Sequence, residues 1–171
     1  EFRRVLFRSS LAFSAIRPQQ PQGYISFSEV ASKFKCTIMD AIAIVDTVDA
    51  YMNSADERVE GKHTGIVLGS DPTDKEVAYK NDVTNAAQIT FDNIVNGRIP
   101  MTHSCYLKMF QLTKPKLRYG TLFLDEAQDA NPVALDVILR NSGKLVAVGD
   151  PRQQIYAWIG AINAMDRIKG D

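Results

Sequence analysis

No apolar run in the sequence approaches the roughly 20 residues that a membrane-spanning helix needs. Cysteine is scarce: Cys36 and Cys105 stand far apart without C-x-x-C spacing, and His63 and His103 are the only histidines. That scarcity argues against a zinc site and for a reducing, intracellular compartment, whether cytoplasm, nucleoid or nucleus. A surplus of either charge is missing too, since 20 Lys and Arg face 20 Asp and Glu for a formal net charge of +0. Any nucleic-acid contact must therefore come from a local surface, and the charge balance neither supports nor excludes such a partner. A phosphate cradle of the form G-x-x-x-x-G-K-[ST] does not occur either. Gly61-Lys62-His63 has neither the earlier glycine nor the hydroxyl residue, and Gly143-Lys144-Leu145 fails in the same way.

What is present suits one globular domain or a large piece of a bigger protein. The 171 residues are 45% hydrophobic and 23% charged, enough to bury a core. The opening "EFRRVLFRSS" sets basic residues around a short apolar patch, with no initiating Met and no adequate signal core. Residues 1–10 read as a non-native or fragment-start segment and are set aside. The Pro/Gln stretch from Arg17 to Gly23 reads as a linker.

From 11 to 118 the pattern is mostly helical. Ser26 with Glu29 predicts a capping box that opens a short helix. The next helix is expected to carry Ile38, Ile42, Val45, Val48 and Met52 on one face. Asp40, Asp46 and Asp49 share the other, a solvated face rather than a metal site. Thr73 and Glu76 predict a second capping box, ahead of a long helix with Val83, Ala87, Phe91 and Ile94 on one face and Gly97 as its stop. The run "HSCYLKMFQL" is expected to form a further helix ending before Pro115. His103, beside Ser104 and Cys105, has no identifiable triad partner and reads as a helix-start residue.

After residue 118 the rhythm changes. "TLFL" reads as a strand buried on both faces, Asn131-Pro132 as a helix start, and "KLVAV" as a second buried strand. Strand, helix and strand with short links make a βαβ unit with parallel neighbouring strands. Ligands of open parallel sheets gather outside the carboxyl ends of the strands. Asp125, Glu126 and Asp129 follow the first strand, and Asp150 follows the second. Adjacent carboxylates repel unless a cation sits among them. Mg2+ is the economical choice: it is hard, takes oxygen ligands, and binds through one or two carboxylates plus substrate phosphates. The alternative is that the acids serve a helix N-terminus, which would account for Asp129 but not for Asp125 and Glu126.

"LFLDEAQD" resembles the Walker B motif of superfamily 1 helicases of the UvrD/Rep type. "VGDPRQQIYAWIGA", one βαβ unit later, resembles their motif III. "NSADE" and "IPMTHSCYLKMFQLTKP" are similar to the segment ahead of Walker B in F-box DNA helicase-like members. The resemblance thus spans about residues 37 to 166, loosely at first and strongly through the last third.

The resemblance implies an α/β fold: part of a RecA-like P-loop NTPase core over 119–171, with 11–118 as a mostly helical insert. It implies ATP and Mg2+ as cofactors and single-stranded or duplex DNA as partner, in a 3′ to 5′ helicase of repair or recombination. Asp125 would hold the Mg2+ through water, and Glu126 would orient and deprotonate the attacking water. Gln128, Asp129 and Asp150 would join Asp125 on the cofactor side, the first two linking it to neighbouring elements. Gln153 would sense the γ-phosphate. Tyr156 and Trp158 would face single-stranded DNA, where a ring stacks on bases without reading their sequence. For Trp158, the single tryptophan, the alternative is an ordinary core aromatic.

Two departures accompany the match. Ile159 stands where the family usually carries arginine, which removes part of the polar grip on DNA or its coupling to ATP. The family places its phosphate cradle upstream of these motifs and its second motor domain downstream. The chain therefore reads as an internal fragment of the first motor domain, inactive toward ATP by itself. Two other readings remain. One is a non-catalytic DNA- or protein-binding module derived from a motor, favoured by the missing cradle and Ile159 but not by intact Asp125, Glu126 and Gln153. The other is a metal-dependent nuclease built on Asp56 and the triplet Glu60-Gly61-Lys62, which sits in a polar loop and leaves motif III unexplained.

Overall fold

The computed structural model describes residues 10–17, 22–141, 143–155, 162–166 and 168. Residues 1–9 of the expected leading segment, and Tyr156, Trp158 and Ile159, lie outside the described residues. Two compact units form, one from Glu1–Arg17, Asn53–Ala55 and Tyr106–Asp171, the other from Pro18–Met52 and Asp56–Cys105.

The second unit is helical. Helix α2 (Phe27–Phe34) starts at Ser26, whose hydroxyl accepts from Glu29 N at 3.4 Å, so only the serine half of the expected capping box forms. Helix α3 (Ile38–Met52) opens on a pair the sequence did not reveal: Asp40 N donates to Thr37 Oγ1 while Thr37 N donates to Asp40 Oδ2. The Thr37 hydroxyl, which donates to Asp40 Oδ2 at 2.7 Å, and then the Thr37 N–H and the Tyr79 hydroxyl hold the Asp40 carboxyl below its usual range. The buried stripe of α3 runs through Ala41, Ile44, Val45, Val48, Tyr51 and Met52. That corrects the expected face, because Ile38 is exposed and Ile42 only half-buried. The stripe follows Tyr51, which packs edge-on against Phe91 at 5.0 Å. Helix α4 (Asp74–Val95) has the full capping box expected of Thr73 and Glu76. It buries Val83, Ala87, Phe91 and Ile94 and gives way to Gly97 at φ 75, the left-handed stop that glycine adopts without strain.

Helix α5 (His103–Leu112) matches its expected span and runs from the second unit into the first. In the first unit, helix α1 (Ser10–Ile16) sets Phe13 edge-on to Tyr106 at 5.5 Å. Strands β1 (Thr121–Leu124) and β2 (Lys144–Ala147) pair in parallel, Thr121 with Lys144 through Leu124 with Ala147. Helix α6 (Pro132–Asn141) crosses between them and buries Val133, Leu135, Val137 and Ile138. The fold is thus mixed α/β. The strands are not buried on both faces as expected: Leu122 alone is fully covered, and Lys144 is exposed. The reason is sheet width, since the described residues supply two strands and each keeps an open edge. Ala127, Ala130, Leu135 and Ala164 form a small core beneath the carboxyl ends of these strands, with Leu124, Ala147 and Ile162 packed against it.

Candidate functional site

The parallel ladder runs one residue past β2, with Val148 N donating to Leu124 O at 2.8 Å. The chain then turns sharply. Asp125 accepts from Glu126 N at 3.1 Å, and Glu126 adopts the left-handed conformation at φ 54 and ψ 44. Such a backbone costs a non-glycine residue about 1–2 kcal/mol, and strain of this kind gathers at functional sites. Ala127 N donates back to Val148 O at 2.9 Å, starting a 3-10 turn over Ala127–Asp129. Asp125 and Glu126 are left exposed at the strand end, and Ala127 and Gln128 directly after them are buried.

Gln128, 2% exposed, is the centre of the arrangement. Its Nε2 donates to Glu126 Oε2 at 2.7 Å, and its Oε1 accepts from Asp150 N at 3.1 Å. Gly149 leaves room for this: a Cβ there would overlap Gln128 Oε1 and lie 2.9 Å from Ala127 N. Asp150 in turn shapes the 3-10 turn Pro151–Gln153, accepting from Arg152 N at 3.0 Å and from Gln153 Nε2 at 2.9 Å. Asp129 accepts from Ile155 N at 3.2 and 3.4 Å. Two adjacent residues after β1 therefore hold both ends of the turn after β2. The hydrogen bonds that cap α6 come from Asn131, whose Oδ1 accepts from Val133 N at 2.8 Å and Ala134 N at 3.4 Å. Asp129 accepts instead at the second turn, from Ile155 N.

Among the described residues, no three His, Cys, Asp or Glu side chains are grouped to hold a metal unaided. The donors that Asp125 and Glu126 offer are hard oxygens at an open surface, a set that fits an ion arriving with phosphates and water. The polar loop behaves differently. Lys62 pairs with Asp56 at 2.7 Å and Glu60 at 3.1 Å, and the buried His63 ring lies 2.8 Å from the other Asp56 oxygen. His63 Nδ1 accepts from Glu60 N at 2.9 Å, so Nε2 carries the hydrogen and donates to Asp56. Both Asp56 oxygens are engaged, and the loop is a staple rather than an open acidic set.

The sequence reading missed the parts played by four residues. Gly149 is one, although its place between a buried strand and an Asp-Pro turn marked a close approach. Asn131 does more than cap, because its Nδ2 donates to Asn53 Oδ1 at 3.2 Å. Lys108 and Gln111, both buried, bond to the carbonyls of Ser54 and Ala55, contacts with no local signal.

A parallel βαβ unit thus carries an acidic pair at one strand end, clasped to a polar turn at the other. The family model of the UvrD/REP helicase N-terminal domain matches residues 69–168, which take in α4, α5, both strands and both turns. The chain belongs to this helicase family. It is similar to F-box DNA helicase 1 of Gallus gallus, 27% identical over 177 aligned positions that cover 91% of this chain and 18% of that protein. It is also similar to F-box DNA helicase protein 1 of Schizosaccharomyces pombe, 26% identical over 122 positions covering 69% of this chain and 14% of that protein. The chain therefore spans less than a fifth of the curated relatives it matches. No solved structure matches it. No helix among the described residues is long and apolar enough to cross a membrane.

Proposed function

We propose that this chain is part of the first motor domain of an ATP-dependent DNA helicase that moves 3′ to 5′ along single strands in repair or recombination. In this reading, residues 119–171 belong to a RecA-like core and 11–118 to its helical insert. The observation that carries it is the exposed Asp125–Glu126 pair at the end of a parallel strand, bonded through buried Gln128 to the turn that bears Gln153. Asp125 and Glu126 are the residues that would face Mg-ATP, and the ion would supply charge neutralisation at the phosphates. Glu126 takes the proton of the attacking water, with Gln128 on one of its oxygens and the other left to the water. Asp150 gives the second turn its shape, Asp129 holds that turn at Ile155, and Gln153 is presented from it toward the γ-phosphate. Tyr156 and Trp158 follow directly and stack on single-stranded DNA. Such a protein works where DNA is, inside the cell.

Strand displacement by the full-length protein tests this. Duplexes carrying a 3′ or a 5′ single-stranded tail are incubated with ATP and Mg2+. Displacement from the 3′ tail alone supports the reading. DNA binding without ATP-dependent displacement from either tail would favour the non-catalytic module.

A further inference from the structure

Gln128 bonds to a carboxylate with one end of its amide and to a neighbouring turn with the other. The chemistry fixes which end is which. Asp150 N–H only donates, so Oε1 must face it; the Glu126 carboxylate only accepts, so Nε2 must face that. A flipped amide would set donor against donor and acceptor against acceptor. The side chain is buried, so water does not replace either partner. Glu126, by contrast, is exposed, and a charge-assisted bond of 2.7 Å restricts a carboxylate that would otherwise sample several rotamers.

We propose that Gln128 is a positioning residue that orients the Glu126 carboxylate for water activation, and that it does so while the Asp150 turn is seated against it. This rests on the assignment of Glu126 as the base. Because one amide orientation serves both bonds, withdrawing Asp150 N–H frees the amide to rotate and releases Glu126. The turn's far end is tied to Asp129 through Ile155 N, so a shift of the turn acts on both residues after β1. Gly149 is the place where the two segments come closest, with no room for a side chain.

The test uses the full-length protein with saturating single-stranded DNA. Gln128→Leu keeps approximate shape and bonds neither partner. It is expected to lower kcat for ATP about 10-fold or more, with KM for Mg-ATP within about twofold. Gln128→Glu is the diagnostic variant. Ionised, it repels Glu126 and cannot donate to it; protonated, its O–H donates and its carbonyl accepts, restoring both bonds. Its kcat relative to the parent should therefore rise on acidification. Parental kcat in folded Gln128→Leu, or a Gln128→Glu pH profile that follows the parent's, overturns the proposal; where Gln128→Leu does not fold, the pH profile decides. Glu126→Gln, measured alongside, separates the two claims. Parental turnover there removes the base assignment, whereas its loss beside parental Gln128→Leu removes the positioning role alone.

Discussion

The Lys108 ammonium is completely buried and donates to the Gln111 side-chain oxygen at 2.8 Å. It also reaches Ser54 O at 3.1 Å, while Gln111 Nε2 donates to Ala55 O at 2.7 Å and Asp136 Oδ2 at 2.8 Å. Asp136 accepts further from Arg140 at 2.9 Å. With Asn131 on Asn53, every residue of Asn53–Ala55 is held by a side chain of α5 or by the cap of α6. Lys108→Met keeps the length and loses the donor, which leaves buried acceptors unsatisfied and should cost about 1–3 kcal/mol. Lys108→Ala adds a cavity and should cost more. Urea unfolding of the chain measures both, and an unchanged midpoint for Lys108→Met would mean that those acceptors find other donors.

Gly149→Ala addresses the close approach of the two turns. The added methyl meets Gln128 Oε1 and the backbone nitrogens of Ala127 and Gln128, so overpacking should destabilise the chain by about 1–3 kcal/mol. Combining it with Gln128→Ala should give less than the sum of the two losses, because one obstacle has gone. Strict additivity in thermal melts would place the two residues out of contact.

These contacts mark where the sequence was legible. The span of α5, both strands, and the Thr73–Glu76 box of α4 follow from local chemistry: turn residues, periodicity and caps act within a few positions. The face of α3 did not follow, because "IMDAIAIVDTVDAYM" is apolar almost all round and offers several stripes. Asp40 passed for a solvated acid because its partner, Thr37, lies just ahead of the helix. Lys108 carried no signal, since its acceptor at Ser54 lies 54 residues away. At the site, the acids themselves were readable from their motif. That Gln128 links the site to a neighbouring element was implied by the resemblance, but its partners, Glu126 Oε2 and Asp150 N, were not legible, because they depend on how β1 and β2 pair.

Alkaline pH should weaken the helical unit in a defined window. Burial pushes the Cys105 thiol from 9.0 up to about 12. Burial, then the charges of Asp92 and Asp56, pushes Tyr51 from 10.0 up to about 12. Both groups stay protonated in the folded chain after they ionise in the unfolded one, so stability is full below pH 9 and falls as pH rises toward about 12. Urea midpoints should decline from about pH 9, and Cys105→Ala should remove the first part of that slope. A midpoint flat through this range would contradict the burial of both groups.

Trp158 lies outside the described residues, and its role is open to direct measurement. Single-stranded DNA should quench its fluorescence in the full-length protein with little dependence on base sequence. Trp158→Ala should cost about 1–3 kcal/mol of single-strand affinity. Lost melting stability with unchanged affinity would instead make Trp158 a core residue.

The most direct test concerns Glu126. In the full-length protein, Glu126→Gln keeps the size of the side chain and removes the base, so DNA-stimulated ATP hydrolysis should fall by roughly 10²-fold or more. Mg-ATP binding, followed in the same preparation, should stay near the parental level, because the substitution keeps the shape of the side chain and leaves Asp125, the proposed metal ligand, in place. Hydrolysis at the parental rate by Glu126→Gln would contradict the account.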